Sequence, residues 1–289
     1  MRSRIWDRKW NACAAGALLL LAAATSHATN DLDCSSGADG RSKLLRVVGL
    51  TDDGALVCFS ELAPRRVREI GYVSGLASPD VRLIGIDFRV QDGELYGVGN
   101  GGGVYRLDTS NATATLVNVL TVALDGTSFG VDFNPAADRL RIVSDTGQNL
   151  RHNVNKGGTT IADLALNYTP GTNATGIVGA AYTNNDLDAR TATTLFDLDT
   201  SLDQIAIQAP PNNGSLSPTG MTSVDSGNAA GFDIYSELKK AVTFNNRGYS
   251  VQSVGNVSAF YRVSLTTGKS HFIGVFRRPV VDIAVPLNQ

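Results

Sequence analysis

Ile84-Gly85-Ile86-Asp87-Phe88 and Phe129-Gly130-Val131-Asp132-Phe133 are two copies of one pattern, apolar–Gly–apolar–Asp–aromatic, and their recurrence decides the fold. Weaker copies follow at Val178-Gly179-Ala180-Ala181-Tyr182 and Ala230-Gly231-Phe232-Asp233-Ile234. Val280-Val281-Asp282-Ile283-Ala284 ends the series without the glycine. Aligned on 87, 132, 181, 233 and 282, the copies are spaced by 45, 49, 52 and 49 residues. Such a period matches the roughly 40–50 residues of one four-stranded propeller blade.

The chain between copies supports three further strands each, as alternating apolar and polar residues bounded by Gly, Asn, Asp and Pro. After the first copy these are 94–98, 104–108 and 113–119; after the second, 139–144, 149–154 and 159–166. The third is followed by 194–198, 204–208 and a weak 215–219, and the fourth by 241–244, 259–265 and 271–276. Residues 236–240 allow one helical turn at most. Three strands, 44–50, 56–62 and 66–73, lack a preceding copy, whereas the last copy lacks following strands. Joining the two ends makes one blade and removes the exposed sheet edges of a linear array. The expectation is an all-β chain: a single five-bladed β-propeller of four-stranded blades over 44–287, its first blade closed by the C-terminal strand. A sixth blade would need residues 29–43, which are too polar and too rich in Gly and Ser for an inner strand.

Several stretches resemble a bacterial secreted family catalogued as a domain of unknown function, family forty-three ninety-four. They are IGIDFRVQDGELYGVGNGGGVYRLDT, FGVDFNPAADRLRIVSDTGQNLRHNV, GAAYTNN and QAPPNNGSL. The resemblance implies export and repeated β structure and transfers no catalytic residue.

Residues 1–28 read as a cleavable signal peptide: Arg2, Arg4, Arg8 and Lys9, an apolar run from Ala14 to Ala24, then Ser26-His27-Ala28. The run is shorter than the about 20 residues of a membrane span. A polar tail, 29–43, follows, and the mature chain is expected in the periplasm or outside the cell. Removing four positive charges and one negative moves the formal net charge from −2 to −5, without the basic footprint of a nucleic-acid binder. Cys34 and Cys58 remain, able to pair in an oxidising compartment. The sequence leaves that pairing open.

The mature chain has no nucleophile elbow, P-loop or EF-hand loop, and His152 and His271 are not at ligand spacing. Gly97–Gly102 lies between two strands and reads as a hairpin turn. Asp87, Asp132, Asp233 and Asp282 share one position of the inner strand, and Ala181 interrupts their ring. Either they hold a cation, Ca²⁺ by all-oxygen ligands, or each points between blades to a structural partner; the structural reading is preferred. Arg139, Arg141 and Arg151 gather in one blade, to receive an anion or, as preferred, to neutralise neighbouring aspartates. The longer loops, 74–82, 120–128, 167–176, 221–228 and 245–256, fall on one face, with 184–193 the exception on the other. Tyr168, Tyr249, Arg247, Arg277 and Arg278 are the expected ligand contacts there. The function expected is a binding module for a small molecule, glycan or protein; the alternative is a hydrolase using channel carboxylates, with or without a divalent cation.

Overall fold

The computed structural model describes residues 44–287. The expected signal peptide, the 29–43 tail and Cys34 lie outside the described residues.

The described residues form twenty strands in five antiparallel four-stranded sheets. The first three strands are β1 (Arg46–Thr51), β2 (Ala55–Ser60) and β3 (Arg68–Tyr72). The second blade is β4 (Leu83–Phe88), β5 (Leu95–Gly99), β6 (Gly103–Leu107) and β7 (Ala114–Val119). The third is β8 (Phe129–Asn134), β9 (Arg139–Ser144), β10 (Asn149–His152) and β11 (Thr160–Ala162). The fourth is β12 (Ile177–Tyr182), β13 (Leu195–Asp199), β14 (Gln204–Gln208) and β15 (Leu216–Met221). The fifth is β16 (Gly227–Lys239), β17 (Val242–Val254), β18 (Val257–Val263) and β19 (Ser270–Val275). The last strand, β20 (Val280–Ala284), pairs with β1 and completes the first blade. The molecule is a five-bladed β-propeller closed by its C-terminal strand.

The recurring motif has a packing reason. A methyl group added to Gly130 would stand 2.6 Å from the backbone of Gly179 and Ala180 in the next blade. One on Gly179 would stand 2.8 Å from the Phe232 side chain of the blade after. Only glycine lets neighbouring inner strands approach this closely. The apolar residues of each inner strand fill inter-blade cores, among them Ile86 and Phe88 between the first two blades and Val131 and Phe133 in the next cluster.

Two expectations are corrected. Asp282 does not align with the other aspartates but two residues earlier: it occupies the glycine position, against Gly85 and Gly231. Ala284 stands where the aspartate is expected, because Asp233 bonds to Val285 as Asp87 bonds to Phe133 and Asp132 to Tyr182. Residues 245–256 are not a loop: all but Gly255 and Asn256 are strand. β16 and β17 instead run for 13 residues each as one long hairpin, turning only at Lys240-Ala241. Its projecting end is held by the 184–193 loop, through Asn184 to Asn246 at 3.0 Å and Thr243 to Asp186 at 2.9 Å.

The 97–102 stretch joins two strands of one hairpin, as expected: Gly97–Gly99 end β5 and Asn100–Gly102 make the turn. It wraps the buried carboxylate of Asp80, which accepts from Gly101 N, from Gly103 N at 3.0 Å and from the Tyr105 hydroxyl at 2.6 Å.

Candidate functional site

The inner strands place the Asp87, Asp132 and Asp233 carboxylates around the propeller axis, with one oxygen of each within 4.8 Å of the other two. All three residues are buried. Period-2 alternation sets each aspartate on the face of its glycine, two residues away, so its side chain leans toward the next blade. Asp87 accepts the Phe133 N–H at 2.7 Å and Asp132 the Tyr182 N–H at 3.2 Å. Asp233 accepts from Val285 N. Asp282, at the glycine level, accepts the Ile86 N–H at 2.8 Å. Each carboxylate therefore ties one blade to the next, and the inter-blade reading and the convergent cluster are both present. Of the four aspartates singled out by sequence, three are brought together, and Asp282 lies one level away.

Burial, then repulsion from Asp233 and Asp282, holds the Asp87 carboxyl well above the usual carboxylate range. Burial and the charges of Asp87 and Asp233 do the same to Asp132. Burial pushes Asp233 up to about 7, and raises Asp282 likewise. Unpaired carboxylates this close resist joint ionisation, and a cation among them would relieve that resistance.

A cavity of about 210 Å³ opens where the inner strands begin, on the face carrying the inter-blade links. Its polar wall includes Asp52, Arg82, Thr127, Ser128 and Asn228, and its apolar wall Leu83 and Phe129. These residues come from four blades and surround the channel mouth. None of the five ligand contacts expected from sequence lines it.

Of those five, Tyr249 and Arg247 meet at Glu61 and the other three are dispersed. Tyr168 is partly buried against the fourth blade and donates its hydroxyl to Asp199 at 2.7 Å. Tyr249 lies in the core of the fifth, stacked on Phe260 at 5.4 Å with its hydroxyl on Glu61. Arg247 is in β17, pairs with Glu61 at 3.3 Å and lies over the Tyr235 ring. Arg278 pairs with Asp53 and Glu69 across the first blade, at 2.5 and 2.6 Å, while Arg277 is exposed. Cys58 is buried in β2 and disulfide-bonded. The sequence places Arg82 on this face but does not single out Thr127 and Ser128, although both lie in the long 120–128 link.

The chain matches, over residues 55–284, the family described as "Domain of unknown function (DUF4394)". It belongs to that family. No curated protein matches the chain. Among solved structures, this DUF4394 protein is similar to an auxiliary nutrient binding protein from Bacteroides thetaiotaomicron at 16% identity, covering 76% of this chain and 57% of that one, with a TM-score of 0.40. A protein from Lactobacillus plantarum matches at 14% identity over 84% of this chain and 99% of that one, TM-score 0.39. BamB from Moraxella catarrhalis matches at 13% identity over 79% and 57%, TM-score 0.32. The DUF4394 chain thus spans little more than half the length of the Bacteroides and Moraxella proteins.

No helix among the described residues is long and apolar enough to cross a membrane.

Proposed function

We propose that the protein is an exported binding propeller whose axial channel holds a divalent cation beneath the mouth where a small molecule, glycan or protein partner docks. The observation that carries the cation is the convergence of Asp87, Asp132 and Asp233. Three oxygens mutually within 4.8 Å fit around one ion at the roughly 2.3–2.6 Å of Ca²⁺–oxygen bonds. All-carboxylate ligation selects a hard cation over zinc or copper.

The hydrolase alternative is weaker. Glycoside chemistry needs a scissile bond to lie between an acid and a second carboxylate. These carboxylates are buried, and each already holds a backbone N–H of the adjacent blade. Such a framework suits binding better than turnover. The disulfide at Cys58 supports export, because such bonds persist in oxidising compartments.

Metal analysis of protein purified without chelator, with melting in EDTA and in CaCl₂, tests the reading. An ion held only by the folded state raises the melting temperature further as its concentration increases. Absence of bound metal together with an unchanged melting temperature would contradict it.

A further inference from the structure

A second cavity, of about 230 Å³, opens on the opposite face between the third and fourth blades. Arg139, Arg141 and Arg151 line it together with Asn134, Tyr182 and Asn212. The three arginines come from adjacent strands, β9 and β10, where Arg141 and Arg151 stand directly opposite each other. Asn212 arrives from the link between β14 and β15.

The charges in this cavity do not balance. Asp163 serves both Arg141, at 2.8 Å, and Arg151, at 2.9 Å. Asp138 is held by Arg89 and also feels the charge of Arg139. Asp197, which also feels Arg141, is held well above the usual carboxylate range by burial and so offers little negative charge. Among the described residues, Arg139 bonds only to the carbonyl oxygens of Ala137 and Asp138, both through Nη1. Its charge is felt next door: burial first, and then Arg139, push His152 down to about 4.

The donors are unspent as well. Arg139 Nε and Nη2, and both Nη atoms of Arg151, have no hydrogen-bond partner among the described residues. The acceptors around them are taken. Asn212 Oδ1 and the Tyr182 hydroxyl receive Arg141, at 2.9 and 3.3 Å, and Asn134 Oδ1 receives the backbone N–H groups of Ala136 and Ala137. Asn212 therefore leaves its NH₂ group for a ligand, whereas that of Asn134 is directed at the Tyr182 hydroxyl. Arg141 itself is buried, its side chain only 3% exposed, and fixed by Asn149, Asp163 and Asn212. It forms a rigid cationic floor beneath two more adaptable forks.

We propose that this cavity is a binding site for a small organic anion, a carboxylate or phosphate carried on a molecule about the size of one sugar. Planar guanidinium forks match carboxylate and phosphate oxygens in paired hydrogen bonds. The cavity is smaller than the roughly 300–1,000 Å³ of sites for drug-sized ligands, which limits the ligand to a small molecule. The site is separate from the axial channel and does not depend on a cation there.

The probes are sodium D-glucuronate and inorganic phosphate, with D-glucose and NaCl of equal ionic strength as controls. Calorimetry or thermal shift on the full protein should show saturable binding of an anion and none of glucose. Tighter glucuronate identifies the carboxylate as the recognised group, and tighter phosphate the phosphoryl group. The double variant Arg139→Gln/Arg151→Gln should lose roughly tenfold or more in affinity, as expected for removing charged hydrogen bonds. Both side chains are partly exposed, so a melting scan separates lost binding from lost folding; Arg139→Lys/Arg151→Lys, which keeps the charge, should retain measurable binding. Anion binding should be the same in EDTA as in CaCl₂. No anion response beyond that of NaCl, or equal binding by the glutamine double variant, would overturn the proposal.

Discussion

The carboxylate of Asp87 accepts the backbone N–H of Phe133 at 2.7 Å, from the inner strand of one blade to that of the next. Asp132 repeats the contact on Tyr182, and Asp233 on Val285. A glycine two residues earlier permits each close approach. Glycine and aspartate in the motif are therefore two halves of one inter-blade joint.

Gly130→Ala tests the glycine half. Its new methyl would meet backbone atoms of Gly179 and Ala180 at 2.6 Å, which cannot swing aside as a side-chain tip can. Overpacking of this kind costs about 1–3 kcal/mol, occasionally more. Denaturant unfolding should show a lower midpoint with an unchanged slope. An unchanged midpoint would mean that the inner strands have room to spare.

Closure by the C-terminal strand is tested by deleting residues 280–289. The deletion removes β20 from β1, Asp282 from the Ile86 N–H, and Val285 from Asp233. It exposes the inner edge of the first blade and opens the ring, so cooperative unfolding should be lost. A truncated protein that melts like the full chain would contradict closure.

Much of this architecture was legible in the sequence, because three of the five inner strands carry the same glycine–aspartate joint and so repeat the same residues. The register of the last copy was not. Asp282 replaces a glycine there, and sequence alone aligned it with the other aspartates. The part of β17 from Asn245 onward has the composition of a loop, since Asn245, Asn246, Arg247 and Gly248 are turn residues, although Tyr249 and Val251 alternate inward. The tyrosines misled for a different reason. Their hydroxyl partners, Asp199 and Glu61, lie 31 and 188 residues away in the chain. The anion cavity likewise joins Arg141 to Asn212, 71 residues apart, and no local pattern announces that meeting.

Asp197 supplies a pH test. Both its oxygens are buried without a hydrogen-bond partner among the described residues, and burial holds its carboxyl well above the usual carboxylate range. The folded chain thus keeps a proton that the unfolded chain releases, so this residue's contribution to stability falls as pH rises above about 4. Asp197→Asn removes the titration. The variant should melt higher than wild type at pH 8, by the equivalent of about 1–3 kcal/mol, with little difference at pH 4. An equal difference at both pH values, or a lower melting temperature at pH 8, would contradict this account.

The axial cluster is tested most directly by calorimetric titration of Ca²⁺ into chelator-stripped protein at pH 7.5, alongside Asp132→Asn. Burial pushes Asp233 up to about 7, so binding should also release protons, and the heat should vary with the ionisation enthalpy of the buffer. The account expects one ion per wild-type chain, tighter at pH 8 than at pH 6, and binding lost in Asp132→Asn. No saturable binding by the wild type, or the same binding by the variant, would contradict a cation site at Asp87, Asp132 and Asp233.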